Sequence, residues 1–232
     1  MESQPNRAMI IKDIIKNTLE QNLSENWDGK DCILELKTAS ENDGVNHGWK
    51  QMEWIGWYFE WKARTILIDK LGGSVGPRYG SVLFDFQYNG IWDFKSHPNN
   101  QSSGDAYLND VQSVNDCINE YGHLAWVIAD GKADYDDSGD FKLWHDRLKG
   151  KISDYELERV RRGARSRKRK KSFSLENIYI IEFSDISEIE VALKQGWLRD
   201  DMQAGQRNAD GSSRNAKYGI NLKEYFQSLN ET

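Results

Sequence analysis

Cysteine and proline are nearly missing from this chain, and each scarcity removes a class of protein. Two cysteines, Cys32 and Cys117, in 232 residues cannot build a disulfide framework, and such usage fits a reducing compartment, so the cytoplasm is the expected location. Three prolines leave no Pro-rich spacer, and no internal repeat or low-complexity linker interrupts the chain. Long apolar runs are lacking too. The longest, Leu124 to Ala129, is far too short to span a bilayer, and the polar start at Glu2 does not read as a signal peptide. No membrane association is expected. The length suits one large α/β domain over residues 1–232 rather than two small ones.

Net positive charge is also absent. A formal charge of −6 discourages nucleic-acid binding by the chain as a whole, but the charge is unevenly spread. Nine of the 31 basic residues and none of the 37 acidic ones lie between Arg159 and Lys171: Arg159, Arg161, Arg162, Arg165, Arg167, Lys168, Arg169, Lys170 and Lys171. Segregation of this kind suits a segment that faces a polyanion, and contacts to several phosphates would make association fall steeply with salt. A localisation signal or a disordered basic tail is the plain alternative. Against it, the cluster is internal and leads through Ser172-Phe173-Ser174 into Ile178-Tyr179-Ile180-Ile181-Glu182-Phe183, which reads as a buried strand.

The most informative stretch is a predicted hairpin. Val82-Leu83-Phe84-Asp85-Phe86 and Ile91-Trp92-Asp93-Phe94-Lys95 both alternate polar with apolar residues, the period of a half-buried strand. Loop length sets which residues share a face. A two-residue Asn89-Gly90 turn puts Asp93 opposite Phe86 and mixes charge with aromatics on both faces. A three-residue loop, with Tyr88 and Asn89 in a type I turn and Gly90 in the left-handed position, sets Asp85 opposite Asp93 and Leu83 opposite Lys95. The faces then separate: Val82, Phe84, Phe86, Trp92 and Phe94 on one, Asp85, Gln87, Asp93 and Lys95 on the other. Opposed carboxylates repel unless a cation lies between them, and Mg2+ prefers oxygen ligands. With Asp85 and Asp93 as ligands, such a site could work on phosphate, Lys95 orienting a water or stabilising the phosphate. The bland reading of the same residues is a solvated face of cross-strand Asp and Lys.

On these residues the chain resembles the PD-(D/E)xK nuclease superfamily, which includes many type II restriction endonucleases, junction resolvases and repair nucleases. Its pattern is an acidic residue on a helix, Asp at the end of one strand, then Asp or Glu, any residue and Lys on the next. Gly56-Trp57-Tyr58-Phe59-Glu60, followed by Ile66-Leu67 and Leu71-Gly72, looks like the helix, with Glu60 in the acidic position. Asp85 matches the first strand position, and Asp93 and Lys95 match the triplet. Phe84 stands where proline often precedes the first Asp. The likeness covers roughly residues 48 to 97. It implies a restriction-endonuclease-like core, Mg2+ held by Asp85, Asp93 and Glu60, and catalysis by these residues with Lys95.

Glu60 has a second reading as the partner of Arg64, four residues on, and Glu53 is the reserve candidate if the helix is rotated. Trp49, Met52, Ile55, Tyr58, Phe59, Ile66 and Leu67 read as core, and Gly56 suggests a close approach. Asp105 to Tyr121 has helical spacing up to a stop at Gly122, with Asn109 and Gln112 on one face, before a strand at Leu124 to Ile128. His97 reads as a supporting residue, and Asp134, Asp136, Asp137 and Asp140 as a polar turn without calcium-loop spacing. The stretch 203–217 carries Gln203, Gln206, Arg207, Asn208, Arg214, Asn215 and Lys217 among glycines and serines. That chemistry suits base edges, although a plain surface loop has the same composition.

The expected architecture is a central mixed β-sheet flanked by helices. A helix near Ile10 to Leu23 leads through a variable region to Gly48, then the Trp-rich helix, the hairpin, a helix, a strand, the basic segment, a strand and a closing helix near Leu222 to Leu229. The catalytic core falls at about 48–130 and the DNA-binding segments at about 159–171 and 203–217, with Arg162, Arg165, Arg167, Lys168, Arg169, Arg207, Asn208, Arg214 and Asn215 as contacts. The expected function is a magnesium-dependent type II restriction endonuclease cutting double-stranded DNA as a homodimer, because a palindromic site calls for two symmetric active sites. A Holliday-junction resolvase or repair nuclease of the same fold, or a non-catalytic DNA-binding module, are the rivals.

Overall fold

The computed structural model describes residues 7–100, 105–150, 154–163, 168–207 and 211–230. In chain order its elements are α1 (Arg7–Asn22), β1 (Asn26–Asp28), α2 (Gly29–Asp43), α3 (Trp54–Leu71), β2 (Arg78–Tyr79), β3 (Val82–Leu83), β4 (Phe86–Gln87), β5 (Ile91–Pro98), β6 (Asp105–Asp110), α4 (Val111–Tyr121), β7 (Leu124–Tyr135), α5 (Asp140–Lys149), α6 (Asp154–Arg161), β8 (Lys170–Phe183), α7 (Ile186–Gln195), β9 (Leu198–Met202), β10 (Lys217–Asn221) and α8 (Leu222–Asn230). None of the helices described is long and apolar enough to cross a membrane.

Five strands form the central sheet in the order β1-β8-β7-β5-β4. β5 and β7 run parallel and the other neighbours antiparallel, so the sheet is mixed. Side chains alternate across it and split the core in two. On one face α1, α2 and α3 bring Ile15, Leu19, Ile33, Leu36 and Phe59 against Trp92, Phe94, Ala125 and Val127. On the other, α4, α7 and a second sheet, β6-β10-β9, bring Val114, Ile118, Ile189, Leu198 and Ile220 against Ile91, Leu124, Trp126 and Ile128. The run Leu124 to Ala129 is buried at every position because it lies in β7, an interior strand covered on both faces.

Several elements depart from the expected architecture. β1 and α2 fall in the stretch up to Gly48 that the pattern leaves variable. The signals are local: the Asp28 side chain caps the Lys30 and Asp31 N–H groups, Gly44 closes the helix at φ 73, and Cys32, Ile33 and Leu36 turn inward. Asp105 to Tyr121 is not one helix. Buried Ala106 and Leu108 flank exposed Tyr107, a period of two that makes β6, and the helix starts only where Asp110 accepts from the Ser113 N–H. Gly122 ends it at φ 63, as expected. α5, α6, α7, β9 and β10 have no counterpart in the expected order.

Candidate active site

β4 and β5 pair with Phe86 opposite Trp92 and Gln87 opposite Ile91, which leaves Tyr88, Asn89 and Gly90 as the three-residue loop. The ladder stops at Phe86 and Trp92, and Asp85 lies just outside it. The turn itself is not type I: Asn89 is left-handed at φ 48 and Gly90 stands at φ 146. A Cβ on Gly90 would lie 2.4 Å from His123 Nδ1, so close approach as well as backbone conformation calls for glycine.

Val82 to Phe86 is not one strand. β3 pairs with β2, Leu83 opposite Arg78 instead of Lys95, and the Phe84 N–H donates to the Pro77 carbonyl at 3.0 Å. Phe84 therefore joins the second core, with Val82 against it, rather than the layer of Phe86, Trp92 and Phe94. The break builds the site. Beyond the end of β4 the Phe94 N–H donates to Asp85 Oδ2 at 2.7 Å, so a carboxylate stands where a continued strand would have offered a carbonyl.

Asp93 and Asp85 are only 1 % and 4 % exposed. Lys95, two residues from Asp93 along β5, forms an ion pair with Asp93 Oδ2 and donates to the Phe94 carbonyl at 3.3 Å. Glu60 reaches the same place from α3. It lies 3.6 Å from Arg64, the helical ion pair expected, and it is close enough to Asp85, Asp93 and Lys95 for their charges to act on one another. Burial, then the charges of Asp93 and Glu60, hold the Asp85 carboxyl well above the ordinary range, against the pull of Lys95 and the Phe94 N–H. Burial also raises Glu60, opposed by Lys95 and Arg64. Burial works to depress the Lys95 ammonium, but attraction to Asp93 and Asp85 outweighs it and leaves its pKa above normal. Three carboxylates thus crowd one ammonium in a largely closed space. Among the described residues no group of three or more His, Cys, Asp or Glu side chains is arranged to hold a metal ion by itself.

Two further residues join the cluster from the second sheet. Asn109, at the end of β6 rather than on a helix, donates from Nδ2 to Asp93 Oδ1 at 3.1 Å and accepts from the Trp126 indole at 3.0 Å. Indole can only donate, which fixes the amide's orientation. Gln112 is exposed and bonds Asp116 instead. Lys217 pairs in register with Asp110; burial and then the charge of Lys95 depress its ammonium. The sequence offers Lys217 as part of a loop suited to base edges; that its charge meets that of Lys95 depends on a strand pairing distant in sequence. Glu53 caps α3 in position and pairs with Lys170, not with the cluster. Gly56 makes no forced approach: an added Cβ would sit 3.5 Å from Ser96 Oγ, an ordinary contact.

His97 is buried and shares a 2.7 Å hydrogen bond with Asp130, a bracing pair between β5 and β7. Asp136 accepts from the Gly139 and Lys142 N–H groups at the start of α5, and Asp134 and Asp137 pair with Lys171 and Lys168.

Among the described residues of the basic segment, most cations stand in ion pairs. Arg159 pairs with Glu156, Arg161 and Arg162 with Glu158, Lys168 with Asp137, Lys170 with Glu53 and Lys171 with Asp134, while Arg169 is buried. Five acids, three of them remote in sequence, pair with six of its cations. Arg165, Arg167 and Asn208 lie outside the described residues. In the loop before β10, Arg207 donates to the Gly211 carbonyl at 3.2 Å and Asn215 to Asp110 Oδ2 at 2.7 Å. Arg214 is exposed, with its charge close enough to weaken the Lys217 ammonium. Comparison with protein-family models, with curated proteins and with solved structures finds no match for the chain.

Proposed function

We propose that this chain is a magnesium-dependent endonuclease of the PD-(D/E)xK kind, with a restriction-endonuclease-like core, that hydrolyses phosphodiester bonds in double-stranded DNA. The observation that carries this reading is the meeting of Asp85, Asp93, Lys95 and Glu60 from a strand break, the adjoining strand and the preceding helix.

The donor set fits magnesium: oxygen ligands only, with Asp85 and Asp93 buried and Glu60 partly open to a recess, and more negative than the adjacent cations balance. Mg2+ keeps several waters and takes one or two protein carboxylates together with substrate phosphate, so a complete protein cage is not required. Asp85, Asp93 and Glu60 would hold it, and when bound it supplies positive charge against the phosphate and lowers the pKa of a water. Lys95, kept charged by its acidic neighbours, is placed to orient the attacking water or to stabilise the phosphate. Asn109 holds Asp93 in position, and Lys217 with Arg214 adds positive charge beside Lys95 for the DNA backbone.

We extend the reading to a type II restriction enzyme acting as a homodimer, on the symmetry of a two-strand cut. The pairing of the basic segment favours a second reading, a junction resolvase or repair nuclease that follows DNA shape, since fewer cations are then needed for base contacts. The same pairing weakens the case for a non-catalytic DNA-binding module, which relies on that segment. Incubating the protein with a complex DNA and Mg2+ and sequencing the fragment ends tests all three. Fragments sharing one end sequence support the restriction enzyme, cuts confined to branched or damaged DNA support the second reading, and no cleavage with Mg2+ or Mn2+ removes the nuclease altogether.

A further inference from the structure

We infer that the recess beside Glu60 is a nucleotide pocket that receives one unstacked nucleotide of the DNA strand, adjacent to the scissile phosphate. The inference rests on the nuclease reading and names the form of substrate that site takes. The cavity holds about 380 Å³, the low end of the range of about 300–1,000 Å³ for small-ligand sites. That is room for one nucleotide and not for a duplex, so a base entering it must leave the stack.

One wall is a single face of α3. Trp57, Glu60, Trp61 and Arg64 all line the cavity and recur at the three- and four-residue spacing that stacks side chains along a helix. Trp57 is 37 % exposed yet firmly seated: a Cβ on Gly48 would lie 2.2 Å from its Cδ2, so the glycine backbone packs directly on the ring. An aromatic fixed in place but open on the cavity side suits base stacking, which tolerates any base. Arg78, which lines the cavity from β2, is exposed and enters no ion pair among the described residues. Its planar guanidinium suits a phosphate oxygen pair. Glu60 belongs both to this wall and to the carboxylate cluster, which fixes the bound nucleotide next to the bond to be cut.

The test measures binding of a fluorescein-labelled single-stranded dodecamer by anisotropy in EDTA, alongside the same sequence as duplex and a set with one abasic position each. Trp57→Ala should weaken single-strand binding roughly tenfold, and Trp57→Phe should retain most of it. Arg78→Gln should weaken all oligonucleotides alike and reduce the salt dependence. At one abasic position the native protein should lose what Trp57→Ala loses, with no further loss in the variant, and duplex should bind less tightly because unpairing opposes it. Unchanged affinity in Trp57→Ala, or an equal loss at every abasic position, overturns the pocket. Cleavage assays separate the two readings: DNA cut normally by a Trp57→Ala variant that also binds normally leaves the nuclease without the pocket. Trp57-dependent binding with no cleavage under Mg2+ leaves the pocket without the nuclease.

Discussion

Replacing Asp85 by Asn should make the metal-free protein more stable at neutral pH. Asp85 is 4 % exposed and Asp93 1 %, and Glu60 adds a third carboxylate against the single ammonium of Lys95. Two like charges about 6 Å apart at an effective dielectric of about 20 repel by roughly 3 kcal/mol. Lys95 returns part of this, so about 1–2 kcal/mol should be recovered. An Asn oxygen can still accept from the Phe94 N–H, so that bond is retained. At about 2–4 °C per kcal/mol for a chain of this size, Tm should rise by roughly 2–8 °C. The gain must depend on pH. Asp85 has a raised pKa in the folded protein, so its contribution to stability is full below the ordinary carboxylate pKa and is lost as pH rises through the folded value. The difference between variant and native should therefore be near zero at about pH 4 and widen toward about pH 8. Differential scanning calorimetry in EDTA across that range measures it, and Mg2+ should then raise the native Tm and narrow the gap. A variant that is less stable than native at the upper end of the range, or a gap that does not change with pH, refutes the picture of crowded, under-neutralised carboxylates.

Lys95→Ala should lower single-turnover DNA cleavage by on the order of 100-fold or more, while DNA affinity in chelator, followed by anisotropy, changes only a few-fold. Asn109→Ala strips a hydrogen bond from Asp93 and leaves the Trp126 indole without its acceptor; the urea midpoint should fall by the equivalent of about 1–3 kcal/mol with m unchanged. Gly56→Ala should stabilise by about 0.5–1 kcal/mol, because the added methyl meets Ser96 at an ordinary distance, and a lower urea midpoint instead would mean that α3 and β5 approach more closely than described.

The three-residue hairpin loop is legible because only that length separates the aromatics from the charges, whereas Glu60 stands out only through the resemblance to the nuclease pattern, spacing alone giving it no more than the pair with Arg64. The break at Phe84 is not legible. Alternation runs unbroken through Val82 to Phe86, and the bend is decided by a hydrogen bond to Pro77 and by pairing with β2, neither of which leaves a mark on local period. The sequence pattern puts Asn109 on a helix, because Val111 to Tyr121 extends a helical period backward over a short strand whose own signal is two buried residues. Lys217 reaches Lys95 only through the second sheet. The partners of the basic run are non-local in the same way: Lys170 finds Glu53 across 117 positions, and Lys168 finds Asp137 across 31. A count along the sequence registers the cations and cannot register such partners.

The most direct measurement is plasmid cleavage by native protein, Asp85→Asn and Lys95→Ala side by side, with Mg2+, with Mn2+ and with EDTA. Cutting by the native protein only when Mg2+ or Mn2+ is present, and its loss in both variants while each remains folded, is the result expected if Asp85, Asp93, Glu60 and Lys95 form a metal-assisted phosphodiesterase centre. Cutting by either variant at the native rate, or none by the native protein on any DNA tried, contradicts it.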